Sequence, residues 1–381
     1  MSIVGSVASL ALIFFTLMDG FEAILQPRRV THRFRYARLF YNSMWTLWRL
    51  AAQRIRIGKW RQAFLGIFGP LSLLALFATW VFSLIFGFAM LHWSLDTMIH
   101  APDETIGFGT YLYLSGTTFF TLGYGDITPA AALGRTLTVI ESGLGFAFLA
   151  VIISYLPVLS QAFSRREVSI SLLDARAGSP PSAAQVLLRV ARTGNVAAID
   201  SFLIEWERWA AELLESHLSF PVLTYYRSQH DNQSWLAALT TVLDTCAILM
   251  AEVKSQSSYQ AQLTFAMARH AAVDLALVLK TRPRNPEQSR LTSQQRQQMR
   301  REFQQAGLAL QEESSRETRL TQLREIYEPF VNALGQRFLF TLPSIMPERV
   351  AADNWQRSAW MGQVPGIGGL PAALEDDEHF D

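Results

Sequence analysis

The chain has 381 residues, of which 50% are apolar and 17% are charged, and its formal net charge at pH 7 is +1. This balance argues against a nucleic-acid-binding protein and against an intrinsically disordered chain. Cys246 is the single cysteine, so the sequence predicts neither a disulfide framework nor a cysteine-based metal site. The motifs of nucleotide-binding and zinc-dependent enzymes are missing. We therefore expect that the protein is not an enzyme and has no organic cofactor.

The first apolar segment lies at the N-terminus. Residues 2–18 carry no charged side chain, and the pattern predicts a transmembrane helix over residues 1–26. A secretory signal peptide would carry positive charge before its apolar core, whereas here the positive charge follows it. We therefore expect a membrane span rather than a leader.

Residues 27–62 form a basic segment in which arginines are interleaved with tyrosine and tryptophan. A voltage sensor is an arginine-rich spanning helix, and this segment lacks a regular arginine repeat and is too polar to span. Its composition is typical of helices that lie at the lipid headgroup boundary. For the first half of the segment, a solvated cytoplasmic helical hairpin is an equally good interpretation.

The distribution of positive charge predicts the orientation in the membrane. Short cytoplasmic loops carry an excess of lysine and arginine, so the basic segment belongs in the cytoplasm. With one span before it and two after it, the N-terminus lies outside and the C-terminus lies in the cytoplasm. We expect an integral protein of a bacterial inner membrane that contacts lipid. The residues that carry this charge are Arg28, Arg29, Arg33, Arg35, Arg38, Arg49, Arg54, Arg56, Lys59 and Arg61.

Two further uncharged segments enclose a shorter apolar one. Gln62–Leu95 and Ser142–Gln161 contain no Asp, Glu, Lys or Arg. The corresponding spanning helices are predicted over residues 70–92 and 132–160, and the second of these starts before the uncharged segment. The segment at 109–120 is apolar and rich in hydroxyl groups, and its length predicts a helix that enters the membrane without crossing it.

Residues 121–126 have the sequence Thr-Leu-Gly-Tyr-Gly-Asp. Glycine adopts left-handed backbone angles at low cost, so Gly123 and Gly125 predict an irregular backbone here. Irregular backbone at membrane depth is tolerated only where it lines a cavity or is buried in protein. A simple glycine-bearing turn is the alternative for six residues alone, and the flanking spans argue against it.

This order of elements resembles the potassium-channel pore-domain family, of the type with two helices and one pore loop per subunit. The resemblance covers about residues 70–160 and includes Gly134-Arg135, where the inner helix starts, and Gly145 midway along it. It implies a pore domain over residues 63–161, with an outer helix, a pore helix, a selectivity filter and an inner helix. It also implies a homotetramer, because one chain supplies one filter loop and a closed filter needs four.

In filters of this family, backbone carbonyls replace the hydration shell of a potassium ion. The resemblance implies that the transported potassium ions bind at Thr121, Leu122, Gly123 and Tyr124. It implies that the filter is supported by Gly125, Asp126, Tyr113, Thr117 and Thr118, with Tyr113 as the partner of Asp126.

The chain departs from the family pattern at three positions. Leu122 stands where Val or Ile is usual, and Phe120 stands where Thr or Ser is more common. Thr117 stands where some relatives have a glutamate behind the filter. Only the backbone carbonyl of Leu122 would face the ion, so we expect potassium selectivity to persist. Phe120 puts the rigidity of the filter in question.

Glu141 lies within the predicted inner helix, and an ionisable residue inside the membrane is a functional candidate. One hypothesis is that its carboxyl group bonds to the pore helix at Thr117 or Thr118 and supports the filter from behind. The alternative is a carboxyl group satisfied by a neighbouring hydroxyl, without effect on conduction.

The inner helix carries three residues that predict bending. Gly143 and Gly145 are hinge candidates, and Tyr155-Leu156-Pro157 is predicted to end the helix near the cytoplasmic surface. Proline removes a helix hydrogen bond and bends the helix, which suggests a gate near Pro157. Alternatively, Pro157 only turns the chain toward Arg165-Arg166.

Residues 162–361 are predicted to form a helical cytoplasmic domain. Glycine and proline separate the helices, and no strands alternate with them, which argues against a Rossmann-type ligand-sensing domain. Residues 362–381 are rich in proline and glycine and then acidic, and predict a poorly ordered tail. Helical apolar spacing predicts helices over Ala183–Ala191, Val196–Leu218, Trp235–Val253, Ala261–Leu279, Gln294–Leu310 and Leu320–Phe340.

The segment His217–His230 combines histidine, tyrosine and arginine side chains. Such a mixture either lines a ligand pocket or packs an elbow between two helices, and the elbow is the more common outcome. The sequence identifies no cytoplasmic ligand, although ligand gating fits the architecture.

Together, the patterns predict an all-α membrane protein with an extra N-terminal transmembrane helix, a tetrameric pore module and a helical cytoplasmic domain. The expected function is passive, potassium-selective conduction, gated by bending of the inner helix. A weakly selective cation channel and a membrane-anchored sensor or scaffold with a vestigial pore are the two alternatives.

Overall fold

The computed structural model describes residues 2–24, 36–102, 106–192, 198–229, 232–254, 258–311 and 316–347. The chain divides into two compact units, residues 1–161 and residues 162–381. Helices dominate both units in the described ranges. The predicted acidic tail at 362–381 and the first residues of the predicted basic segment lie outside these ranges.

The first unit contains the candidate membrane spans and the segment between them. Helices α1, α3 and α5 are long and apolar enough to cross a membrane. Helix α5 begins in this unit and ends in the second one. In chain order, the elements are α1 (Ile3–Ile24), α2 (Tyr36–Gln53), α3 (Lys59–Ser94), β1 (Ile99–His100), α4 (Phe108–Phe119), β2 (Thr128–Pro129) and α5 (Ala132–Ala177).

Helix α1 packs along α3, and glycines allow the close approach. A Cβ atom at Gly87 would lie 2.8 Å from Cγ1 of Ile13, and one at Gly20 would lie 3.1 Å from the ring of Phe148 in α5. Small residues at such crossings let helix backbones come together, which is the main source of packing energy between helices in lipid. The N-terminal helix is therefore an integral part of the first unit.

Asp19 joins the N-terminal helix to its neighbours. Its carboxylate accepts a hydrogen bond from the backbone N–H of Ala37, in the first turn of α2, at 3.2 Å. It also accepts one from Nε1 of Trp80 in α3 at 2.9 Å. An acidic group at a helix N-terminus satisfies free N–H groups and favours the helix dipole. Asp19 thus fixes where α2 starts.

Helix α2 has an aromatic face toward α3 and an exposed apolar face opposite. The ring of Trp48 stacks on Phe64 with centroids 4.4 Å apart, and its Nε1 donates to the Phe64 carbonyl at 3.1 Å. Leu39, Leu47 and Leu50 are exposed. This two-faced pattern suits a helix at the membrane boundary.

The long helices differ from the predicted ones at their ends. Helix α3 starts at Lys59 rather than at residue 70, with Pro70 inside it, and α5 continues past Pro157 to Ala177. The prediction that Pro157 ends the inner helix is wrong. Pro157 removes one backbone hydrogen-bond donor. Beyond it, however, Arg166, Ile170 and Leu173 follow at helical spacing and are buried. That packing in the second unit stabilises the helix beyond Pro157.

The second unit is built around α8, in which every residue is buried. Helices α7 and α8 both pack on α9. In the described part of this unit, the one β-type pairing is an isolated bridge between Val253 and Leu310. The elements after α5 are α6 (Ala183–Arg192), α7 (Ala198–Ser219), a 3₁₀ helix (Pro221–Tyr225), α8 (Trp235–Ala251), α9 (Ser258–Val278), α10 (Ser293–Gln305), α11 (Arg316–Glu325) and α12 (Glu328–Phe338).

The helix predicted over Leu320–Phe340 is two helices, α11 and α12. Pro329 lies in the first turn of α12, where its missing N–H costs nothing but where a preceding helix cannot continue. The segment from His217 to Gln229 is a packed elbow. Arg166 donates to the carbonyls of Leu223 and Tyr226 at 2.9 and 3.1 Å. His230, the last residue of the predicted segment, lies outside the described ranges.

A buried ion-pair network joins α8 to the C-terminal helices. Arg290 donates to both oxygens of Asp244 at 2.8 Å and to Glu328 at 2.9 Å, and the Tyr327 hydroxyl also donates to Asp244. Burial opposes the charge of Arg290, but the Asp244 carboxylate overcomes this effect and raises the pKa of Arg290 above its ordinary value. Burial, and then the same carboxylate, raise the pKa of Tyr327, so the phenol stays a donor.

Replacing Arg290 by methionine should destabilise the second unit by about 3–5 kcal/mol, because the Asp244 carboxylate would stay buried without its cation. Denaturant unfolding of the purified full chain measures this loss. The control is Arg176→Met, because the pair of Arg176 with Glu205 is 3.6 Å long and exposed on both sides. Such surface pairs contribute about 0–1 kcal/mol. Equal effects of the two substitutions would contradict the structural role of the network.

Candidate functional site

The hexapeptide at residues 121–126 begins in the cap of helix α4. The N–H of Thr121 donates to the carbonyl of Thr118 at 3.0 Å, and the N–H of Leu122 donates to that of Thr117 at 2.8 Å. These two bonds form a Schellman motif, which ends a helix through one residue in the left-handed region. Thr121 is that residue, with φ 55°. The cap thus couples the direction of α4 to the first residue of the hexapeptide.

Left-handed angles then recur at every second residue. Gly123 has φ 57° and Gly125 has φ 80°, while Leu122 and Tyr124 between them do not have positive φ. A backbone in which φ changes sign at every residue can turn successive carbonyls to one side, whereas those of an extended strand alternate. The hexapeptide therefore has a backbone suited to presenting a row of carbonyl oxygens in one direction.

Thr121 is the strained residue of this turn. A side chain in the left-handed region costs about 1–2 kcal/mol, and a β-branched residue there is a genuine outlier. Glycine would relieve this cost, as it does at positions 123 and 125. Strain of this kind persists where the surroundings impose it, commonly at functional sites. The sequence indicates left-handed angles at the two glycines, but it contains no signal for the left-handed angle of Thr121.

Two apolar side chains of the hexapeptide are exposed. Leu122 is 54% exposed and Tyr124 is 70% exposed, and a Cβ atom at Gly123 would meet no atom within 4 Å. Exposed apolar side chains that lie together mark a contact surface. The Thr117 hydroxyl donates to the carbonyls of Tyr113 and Leu114 at 3.0 Å. Thr118 supports the hexapeptide through its backbone carbonyl, which accepts the hydrogen bond from the N–H of Thr121.

Further contacts surround helix α4 and the end of the hexapeptide. The Tyr113 hydroxyl lies near the Asp126 carboxylate. The Tyr111 hydroxyl donates to the carbonyl of Thr97 at 3.0 Å, which anchors α4 to the end of α3. Strands β1 and β2 pair antiparallel, with His100 opposite Thr128. This small pairing was not predicted, because two-residue strands are too short to show a periodic pattern.

Gly134 and Arg135 lie beside strand β2. A Cβ atom at Gly134 would come within 3.1 Å of Cβ of Pro129, and Arg135 Nε donates to the Pro129 carbonyl at 3.3 Å. The glycine therefore permits the first turn of α5 to approach the loop that follows the hexapeptide.

Glu141 lies behind α4, but its surroundings differ from the predicted ones. It is fully buried and lies against Ser115 of α4 and His92 of α3, with 3.9 Å between its Oε2 and Nε2 of His92. The predicted partners, Thr117 and Thr118, are replaced by Ser115, because the Thr117 hydroxyl bonds to its own helix. Sequence reasoning missed His92 and Ser115, since neither belongs to a motif.

The two glycines of α5 have different environments. A Cβ atom at Gly145 would overlap the carbonyl of Phe119, the last residue of α4, whereas one at Gly143 would meet nothing within 4 Å. Gly145 therefore has a packing role at the end of α4. Helix α5 runs without interruption through both glycines and Pro157. A hinge or gate at these three residues therefore remains a prediction.

The described ranges contain no cluster of three or more His, Cys, Asp or Glu side chains that could hold a metal ion. Cys246 is fully buried, and burial raises the pKa of its thiol above the ordinary value. It is therefore an inert core residue.

The segment that contains the hexapeptide is similar to known proteins. Residues 70–159 match the model of a family described as Ion channel. An uncharacterized membrane protein of Bacillus subtilis (strain 168), YdjJ, is 24% identical over 203 residues, which cover 50% of this chain and 56% of YdjJ. Protein LctB of Geobacillus stearothermophilus is 34% identical over 85 residues, which cover 20% of this chain and 63% of LctB.

Protein LctB of Bacillus caldotenax is 33% identical over 85 residues, with the same coverage of 20% and 63%. Each match spans less than two thirds of the relative's own length. No solved structure matches the chain significantly. The family match confirms the resemblance to an ion-channel pore domain. Together with the candidate spans, it identifies an integral membrane protein with an ion-channel segment.

The packing role of Gly145 is tested by alanine. Gly145→Ala should destabilise the protein by about 1–3 kcal/mol, because a backbone carbonyl cannot move aside as a flexible side chain can. Gly143→Ala is the matched control: it has the same helix-propensity gain of about 0.5–1 kcal/mol and no clash within the protomer. Thermal unfolding of both variants separates the effects. Alanine tolerated equally at both positions would refute the close contact.

Proposed function

We propose that the protein is a potassium-selective channel in which four copies of residues 121–126 surround one ion path. The observation that carries this proposal is the alternation of left-handed backbone angles at Thr121, Gly123 and Gly125. A potassium ion that enters a membrane must exchange its water shell for protein oxygens. A backbone with aligned carbonyls supplies such oxygens without any charged side chain.

The ion-binding groups are the carbonyls of Thr121, Leu122, Gly123 and Tyr124, with the Thr121 hydroxyl as a further ligand. One chain offers only one side of a ring around the ion. The exposed side chains of Leu122 and Tyr124 support contact with neighbouring copies, because packing would cover them. Closely spaced sites let ions move by mutual repulsion down their electrochemical gradient.

The exposed face of helix α5 supports the same assembly. Val139, Phe146 and Ile153 are about equally exposed, at 72%, 70% and 69%, and are spaced seven residues apart. Heptad spacing of apolar residues is typical of helices that pack against copies of themselves. We propose that the four α5 helices line the pore below the filter.

Helix α4 contributes electrostatically. The C-terminal end of a helix carries a partial negative charge of about half an elementary charge. The hexapeptide starts directly at this end, so the dipole of α4 favours a cation below the filter. This arrangement stabilises an ion in the membrane without the cost of a buried carboxylate.

Gating follows from the continuity of α5. Pro157 removes one helix hydrogen bond, and a bend there would change the width of the pore. Since α5 continues to Ala177, the second unit holds the end of the gating helix. We place this unit in the cytoplasm, where it assembles or regulates the channel through a ligand of unknown identity, and the N-terminus outside a bacterial inner membrane.

A weakly selective cation channel is the second candidate. It is favoured by the strained Thr121 and by Phe120, which is 47% exposed at the base of the filter. A filter that relaxes its shape would bind sodium and potassium with similar free energies. Ion flux distinguishes the two candidates.

Reconstituted protein should pass potassium into liposomes, with a reversal potential set by the potassium gradient in sodium–potassium mixtures. Gly123→Asp should abolish flux, because it adds a side chain and a charge beside the ion path where glycine has neither. Gly107→Asp is the control: Gly107 precedes α4, and a Cβ atom there meets nothing within 4 Å. Aspartate at that helix end is favourable.

Three outcomes separate the alternatives. Potassium flux lost only in Gly123→Asp supports the channel. A reversal potential that ignores the ratio of sodium to potassium would favour the weakly selective channel. Absence of flux from folded wild-type protein would leave a membrane-anchored sensor or scaffold as the remaining interpretation.

A further inference from the structure

We propose that His92, Ser115 and Glu141 form a buried site for one water molecule, which ties helix α4 to α3 and α5 behind the filter. The site stands on the structure of the first unit, and its effect on conduction rests on the proposed channel function. The three residues come from three helices, and each is fully buried.

The polar atoms of this site need a further partner. Within the described ranges, both carboxyl oxygens of Glu141, Nε2 of His92 and Oγ of Ser115 lack a hydrogen bond. Buried polar groups in proteins are almost always hydrogen-bonded, and the exceptions concentrate where water is bound. A site with this many converging polar atoms meets the requirement of a buried water for two to four polar partners.

The distances fit a bridging molecule. Nε2 of His92 and Oε2 of Glu141 are 3.9 Å apart, which is too long for a direct hydrogen bond. A water molecule about 2.8 Å from each atom spans this gap. Ser115 lies against the same carboxyl group and is the third partner. Its hydroxyl does not bond to its own helix, so its one hydrogen points toward the carboxyl group and the proposed water.

The orientation of the His92 ring is already set. Its Nδ1 lies 2.9 Å from Oγ1 of Thr97, and that hydroxyl lies 3.4 Å from the carbonyl of His92. If the hydroxyl donates to this carbonyl, it accepts from Nδ1–H, and Nε2 is left as an acceptor. The bound water then donates one hydrogen to Nε2 and the other to Glu141, and accepts one from Ser115.

The site lies close to the packed end of α4. Glu141 is one helical turn before Gly145, which packs on the carbonyl of Phe119. Ser115 is two residues before Thr117, whose carbonyl receives the cap bond from Leu122. The water site and the Gly145 contact therefore fix α4 at two levels. Loss of the water site should loosen the left-handed turn at Thr121 and let the filter collapse.

Density maps of wild-type protein should show one water within hydrogen-bond distance of all three side chains. In potassium flux measurements, Ser115→Ala and Glu141→Gln should accelerate the decay of flux several-fold. Higher external potassium should slow this decay, because bound ions support the filter. A merely destabilised protein would lose flux amplitude without a potassium-dependent rate. Ser83→Ala is the control, since that hydroxyl donates to its own helix at Thr79.

Two results would overturn the proposal: a direct bond between two of the side chains with no water density, or a wild-type decay rate in both variants. If wild-type protein passes no potassium, the density alone decides the water site, and the channel function fails separately.

Discussion

The conformation of the hexapeptide starts from one left-handed residue, Thr121, which ends helix α4. The cap bonds from Thr121 and Leu122 to the carbonyls of Thr118 and Thr117 transfer the direction of α4 to the hexapeptide. Without them, Thr121 would return to an ordinary angle and the alternation through Gly123 and Gly125 would lose its starting point. The cost of the strained threonine is small beside the free energy of replacing the water around an ion.

The rest of the first unit is arranged to keep α4 in place. Gly145 lets α5 touch the carbonyl of Phe119, and the Tyr111 hydroxyl holds the other end of α4 to Thr97. Helix α1, which no two-helix pore requires, packs on α3 through Gly87 and positions α2 through Asp19. The contacts at Gly145 and Gly87 act through shape, whereas Tyr111 and Asp19 act through hydrogen bonds.

Sequence patterns predicted those structural features that follow from local composition or from a recognisable motif. Length and hydropathy indicate the spans, and Gly123 and Gly125 indicate the irregular backbone between them. The course of α5 beyond Pro157 was not predictable, because it depends on packing of Arg166, Ile170 and Leu173 against a distant part of the chain. The partners of Glu141 were missed for the same reason. His92 and Ser115 approach it only through the crossing of three helices, and single residues give no periodic signal.

Anomalous scattering from crystals grown with rubidium or thallium would locate the cation sites of the proposed channel. A row of peaks should lie on a four-fold axis, each surrounded by carbonyl oxygens of Thr121, Leu122, Gly123 and Tyr124. Peaks away from that axis, a ring with another number of chains, or no peaks beside the hexapeptide would contradict the proposal.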